Sequence, residues 1–250
     1  MKKIYAFFLM GMFVLSVLAA GCVSTTETST TSTESPTPTD TITIVTDLNG
    51  TVAVGDLQSY INSLPAAPLT EEEKAGLLYM VEEEKLAHDV YVKLYEKWGL
   101  PIFNNIAQSE STHVESVRLL LEKYNLTDPT ANRGIGEFQN PDLQALYDQL
   151  IEMGMKSQID ALKVGALIEE TDIVDLQERI AQTNKIDIIT IYENLMMGSR
   201  NHLRSFVSTL KNYGVTYEPQ VLSKEEYEEI INSPMETGGQ SGPQGHGNSG

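Results

Sequence analysis

Glu110 and His113 stand three residues apart in the segment Glu110-Ser111-Thr112-His113, and residues at that spacing share one face of a helix. A carboxylate and an imidazole on one face, with no thiolate beside them, suit iron, manganese or zinc better than copper(I). The pair interrupts an apolar stripe of Ile106, Val117 and Leu120, and three other stripes are interrupted in the same way. Leu77, Met80, Tyr91 and Leu94 pass through Glu84; Leu162, Ala166 and Ile173 pass through Glu169, with Asp172 one turn on; Leu195 and Phe206 pass through His202. Turned inward together, Glu84, Glu110, His113, Glu169 and His202 would place carboxylates and imidazoles in one core. A buried unpaired carboxylate is costly, so such a cluster calls for a cation.

Plainer readings stand beside this one. Glu84 ends the run Glu82-Glu83-Glu84, and runs of acid usually mark a solvated face. Glu170 next to Glu169 leaves the helical phase open by one residue. His202 could be a core histidine bonded to Tyr192 or to a backbone carbonyl, and His88, one turn past Glu84, is either a ligand or a rim group. Arg200 and Arg204 flank His202 and are expected to pair with acids of the first or third long helix. The methionines, Met196 and Met197 among them, read as core filler.

The elements that must position these residues are helices. Between about residues 70 and 232 apolar residues recur at three- and four-residue steps. Thr70 followed by Glu71, Glu72 and Glu73 is a capping box that opens a helix running to Lys97 or Trp98, closed by Gly99 ahead of Pro101. Further long helices are expected over 102–124, 157–182 and 187–213, with shorter ones over 141–153 and 223–231. Four helices of about 35–40 Å suit a four-helix bundle. The connection between the second and third is long enough to be the crossover of a ferritin-like bundle.

Outside this region the chain changes character. Lys2 and Lys3, the apolar run Ile4 to Ala20 and the ending Leu18-Ala19-Ala20-Gly21-Cys22 form a secretory signal pattern. The ending resembles the lipobox of prokaryotic lipoproteins, which implies cleavage after residue 21, lipidation of Cys22 and an extracytoplasmic, membrane-anchored protein. An uncleaved membrane anchor is the alternative. Residues 22–40 are rich in Ser, Thr and Pro and read as an extended stalk. Residues 41–55, with Asn49-Gly50 between apolar residues, read as a β-hairpin, and 56–68 as a connector to a helical domain over 69–232. The Gly-rich stretch 233–250 reads as a disordered tail carrying an incidental His246.

Composition narrows function. The 250 residues carry 17 Lys+Arg against 35 Asp+Glu, a formal charge of −18, which argues against nucleic acid as a partner and favours attraction of cations. The single cysteine is Cys22, so neither an intrachain disulfide nor a Cys-rich zinc or iron–sulfur site can form. The lack of alternating strand and helix patterns argues against a solute-binding lipoprotein.

Glu84-Lys85-Leu86-Ala87 with Tyr91, and Ser109-Glu110-x-x-His113, resemble the first two helices of rubrerythrin-type ferritin-like proteins. From Leu69 to about Ile231 the chain resembles the DUF2202 family, a prokaryotic ferritin-like group. The resemblance is carried by Glu82 to Ala87, Gly165-Ala166-Leu167-Ile168-Glu169-Glu170 and Gly198-Ser199-Arg200-Asn201-His202-Leu203. It implies an all-α ferritin-like bundle in which Glu84, Glu110, His113, Glu169 and His202 bind iron, or manganese or zinc, as one or two ions. The second Glu-x-x-His of such proteins needs Glu at position 199, where this chain has Ser199; Asp172 or Glu170 could replace it. The implied activity is a di-iron oxidase or peroxidase, with a homo-oligomer as a further expectation. The alternative is a non-enzymatic tethered helical module with a structural or degenerate metal site. The lone cysteine leaves no rubredoxin-like centre in this chain, and the anchor and stalk would obstruct a storage cage.

Overall fold

The computed structural model describes residues 53–237. The expected signal segment, Cys22, the stalk, the hairpin as far as Val52, and His246 lie outside them. Val54 and Gly55, expected at the end of the hairpin, instead open a helix, α1 (Val54–Ser63), in the stretch read as a connector. Its Leu57 and Ile61 are fully buried, one helical turn apart, and α1 packs against the second half of the first long hairpin through them. From Val54 onward the apolar residues therefore act at helical, not strand, period.

The described residues are all helical, in an arrangement compatible with a helical bundle. Helix α2 (Glu71–Trp98) starts with the reciprocal cap between Thr70 and Glu73, 2.8 and 3.1 Å, and stops at Gly99, whose φ of 65° is the left-handed conformation glycine adopts without strain. Pro101 opens α3 (Pro101–Lys123) at the position where a missing N–H is harmless. Asn140 caps α4 (Pro141–Gly154), Ser157 caps α5 (Gln158–Ala181), and Ser223 caps α7 (Lys224–Asn232). Helix α6 (Ile186–Asn212) runs between α5 and Gly214. None of these helices is long and apolar enough to cross a membrane.

Helix α2 packs along α3, and α5 along α6, as two long hairpins that meet through α3 against α6 and α2 against α5. Helix α4, on the connection between the hairpins, rests on α2 and α5. The apolar core falls into two clusters. One holds Tyr91, Phe103, Leu162 and Phe206; the other holds Leu77, Met80, Val117 and Leu195. The change from one to the other comes between Val81 and Leu86 on α2, Ala107 and Val114 on α3, Ile173 and Leu176 on α5, and Leu195 and Leu203 on α6. A layer of buried polar residues crosses the bundle there.

Phe206 stacks at tilted angles on Tyr91 and Phe103, with ring centres 5.4 and 5.8 Å away, and lies over Gly165. A Cβ at Gly165 would stand 2.4 Å from the Phe206 ring. Gly165→Ala should therefore lower stability by about 1–3 kcal/mol, the usual cost of overpacking a core. Urea unfolding of the full chain checks this, with Gly55→Ala, where the added methyl meets nothing within 4 Å, as the neutral control.

Candidate metal centre

The polar layer is built around Glu110. One of its oxygens, Oε2, lies 2.8 Å from His113 Nδ1, and the other, Oε1, lies 2.9 Å from His202 Nδ1. Glu84 Oε2 joins the first imidazole at 3.3 Å, and Glu169 Oε2 joins the second at 3.3 Å. Two groups result, Glu84–Glu110–His113 and Glu110–Glu169–His202, each with ligand atoms within 4.8 Å of one another. They share Glu110. The two imidazoles stack with centres 5.6 Å apart, and all five residues are at most 2% exposed.

Helical spacing explains the convergence. Glu110 and His113 sit on one face of α3 by the three-residue step, while Glu84, Glu169 and His202 come from the middles of α2, α5 and α6 where those helices cross the same layer. His202 is held from behind as well, its Nε2 3.1 Å from Ser109 Oγ. Tyr91 donates its hydroxyl to Glu169 Oε1. Both contacts orient a presumptive ligand and leave its other atom toward the layer.

Charge is unevenly shared. Burial pushes the Glu84 carboxyl up to about 7, only partly offset by His113. Burial also opposes ionisation of Glu110, but the two imidazoles outweigh it and hold this carboxyl well below its usual range. His202 is pulled down by burial yet raised to about 10 by Glu110 and Glu169, and His113 is raised by Glu110 and Glu84. Without a metal the layer is thus held together by imidazolium–carboxylate pairs around Glu110, with protons standing where cations could.

Asp172 lies in the same layer. It accepts a hydrogen bond from Ser199, and burial with the nearby charges of Glu84, Glu110 and Glu169 raises its carboxyl well above the usual range. Its Oδ1 is buried without a hydrogen-bond partner, as is Glu84 Oε1. Ser199 therefore points at a carboxylate on the facing helix. The donor set fits a divalent cation: oxygens with unused lone pairs, imidazole nitrogens, and no thiolate.

Other expectations are corrected. Glu170 is turned away from the layer: it accepts from Tyr217 Oη at 2.5 Å and from the backbone N–H groups of Gln220, Val221 and Leu222 at 2.9–3.1 Å. Both of its oxygens are spent on holding the chain that leads into α7. His88 is in neither group; its Nδ1 is 2.8 Å from Asp89, which also takes Lys85 and the Gly136 N–H and so faces the loop before α4. Arg200 and Arg204 pair with Glu236, beyond α7, and not with α2 or α5; Asn201 also binds the Glu236 backbone. The acid run is no solvated face, since Glu82, Glu83 and Glu84 are all buried, Glu82 accepting from the N–H groups of Gln139 and Asn140. His202 bonds Glu110, Glu169 and Ser109. Sequence reasoning missed Ser109 and Tyr91 as partners of ligands; the only signal was their place one residue before Glu110 and two helical turns past Glu84.

A cavity of about 560 Å³ lies between the first turns of α3 and the second half of α6, roofed by Ile231, Ser233 and Met235, and His202 is in its wall. Its other walls include Ile102, Ile106, Asn105 and Ser208. Arg204 also lines it.

Comparison with known proteins agrees with this picture without naming a reaction. Uncharacterized protein MJ0754 of Methanocaldococcus jannaschii is 60% identical over 179 residues, covering 72% of this chain and 97% of that protein. The crystal structure of hypothetical protein MJ0754 superposes with a TM-score of 0.68 at 60% identity, over 69% of this chain and 99% of that one. The family model for DUF2202, an uncharacterized protein domain, matches residues 73–234, so the chain belongs to the DUF2202 family.

Proposed function

We propose that this is a ferritin-like di-metal protein, with iron as the first choice of metal and manganese or zinc as others. Glu84, Glu110 and His113 would hold one cation, and Glu110, Glu169 and His202 would hold the other. Asp172, backed by Ser199, would supply the carboxylate that a second Glu-x-x-His lacks here. The observation that carries this reading is the sharing of Glu110 between two imidazoles from different helices; an isolated structural site has no use for a divided carboxylate. A redox-active pair in this place would supply electrons to dioxygen or a peroxide, the chemistry of an oxidase or peroxidase.

The chain's own residues would do the rest. Ser109 and Tyr91 fix His202 and Glu169, the two apolar clusters keep bulk water from the layer, and the cavity at His202 admits the oxidant. Lipidation at Cys22 would hold the domain at the outer face of the cell membrane, the stalk setting its distance. One observation favours a second reading: Ser199 replaces a carboxylate, and a zinc-filled or single-metal layer would serve a tethered, non-enzymatic module.

Metal content separates the two. The full-length chain should hold about two equivalents of iron or manganese after reconstitution, and Glu110→Ala with His113→Ala should hold none while keeping its helical circular dichroism. One equivalent of redox-silent metal in the parent would support the second reading. Asp172→Asn should weaken binding of one equivalent more than Ser199→Ala, which removes only the supporting hydrogen bond; supporting groups typically matter about 10–100-fold.

The pH dependence follows from the protons that a cation must displace. Glu84 keeps its proton up to about 7 and His202 up to about 10, whereas the bound state needs both groups bare. Affinity should therefore rise with pH through 7 and continue to rise toward 10. Calorimetric titration with Co²⁺ in buffers of different ionisation enthalpy should show proton release; affinity independent of pH between 6 and 9 would contradict the assignment.

A further inference from the structure

Most buried acids outside the metal layer have an evident partner. Asp89 has Lys85, Glu73 has Lys185, Asp187 has Lys123, and Glu82 and Glu170 have backbone N–H groups. Among the described residues, the buried carboxylate oxygens without a hydrogen-bond partner are Glu83 Oε2, Glu84 Oε1 and Asp172 Oδ1. All three lie on the seam between α2 and α5. Two belong to the layer described above, and Glu83 does not.

Glu83 continues the seam outward. The Tyr79 hydroxyl lies 3.5 Å from Glu83 Oε1 and 3.3 Å from Asp175 Oδ2, so the two acids meet at one phenol. Tyr79 and Glu83 are one turn apart on α2, and Asp172 and Asp175 one turn apart on α5. Glu83 is buried, while Asp175 and Tyr79 are half-buried and reach the surface. Glu83 also feels the charges of Asp172 and Glu84, so it stands between the layer and Asp175, the least buried of the four acids. Beside them the Arg179 guanidinium sits 5.1 Å over the Tyr79 ring, its Nε without a hydrogen-bond partner; it is one turn from Asp175, which feels its charge, and among the described residues no carboxylate holds it in a direct ion pair.

We propose that Glu83 and Asp175 form the outer station of a route by which a divalent cation reaches the buried centre. The proposal rests on the di-metal reading and adds to it the means by which a charged ion reaches a site flanked by apolar clusters on both sides. An acidic surface draws the cation in; Asp175 and Tyr79 take it first, Glu83 carries it inside, and Asp172 passes it to the layer by exchange of carboxylate oxygens. Arg179 supplies the balancing charge when the station holds no ion and swings aside when one arrives. Glu83 and Asp175 also face each other directly, Asp175 raising the Glu83 carboxyl beyond what burial does, while Glu83 Oε2 keeps no hydrogen-bond partner.

The test is the rate of Co²⁺ uptake by the metal-free full-length chain, followed by stopped-flow absorption and by equilibrium metal content. Glu83→Gln and Asp175→Asn, which keep side-chain shape, should slow uptake by about tenfold or more, the order by which focused charge accelerates arrival, and leave the final content at the centre unchanged. Wild-type rates in both variants would overturn the route and leave the centre standing. Failure of the parent chain to take up cobalt would overturn the centre and the route together. If Glu83→Gln does not fold, Asp175→Asn at the half-exposed end decides by the same rate.

Discussion

Four long helices are made to carry charge where their packing would favour apolar residues. Carboxylates from α2, α3 and α5 and imidazoles from α3 and α6 meet in one layer, and the cost of burying them unpaired exceeds what neighbouring apolar contacts could offset. Glu110 resolves this by facing both imidazoles at once. Every other feature of the layer follows from the need to keep that arrangement neutral. Neighbouring carboxylates raise His113 and His202 above the usual imidazole range, and burial raises Glu84 and Asp172 above the usual carboxylate range.

The scaffold around the layer is correspondingly fixed. Gly165 allows Phe206 to lie close on α5, on the same pair of helices across which His202 Nδ1 reaches Glu169. Tyr91 both packs on Phe206 and bonds Glu169, so one side chain belongs to the apolar core and to the polar layer. Glu170, next to Glu169, is used in the opposite way: it gathers the backbone of 220–222 and anchors the approach to α7. Neighbouring glutamates on one helix thus divide between chemistry and architecture.

Much of the helical frame was legible because local signals agree with it: Thr70 and Glu73 at one end of α2, Gly99 at the other, Pro141 and Ser157 at the starts of α4 and α5. The candidate ligands were legible as interruptions of apolar stripes, which is a pattern that spacing alone reveals. What was not legible depends on residues distant in sequence. Burial of the run Glu82-Glu83-Glu84 comes from the loop before α4 on one side and α5 on the other, and no local pattern distinguishes it from a solvated face. The partner of Arg200 and Arg204 lies beyond α7 in a stretch whose composition reads as a tail. Helix α1 was hidden by the Asn-Gly pair before it, a strong local turn signal that says nothing about what Leu57 and Ile61 pack against.

The division of the apolar core has a consequence for cooperativity. Two hydrophobic clusters separated by a polar layer are not obliged to melt together. What couples them is the continuity of the four helices, the side chains of Tyr79 and Met196, which pack against both clusters, and the balance of charge at the helix midpoints. When that balance is disturbed, the cluster around Leu77 and Leu195 and the cluster around Tyr91 and Phe206 become separate folding units, each with its own opening free energy. The molecule then behaves as two short bundles joined end to end, and the occupant of the layer, whether proton or metal, sets how far a local opening in one half is felt in the other.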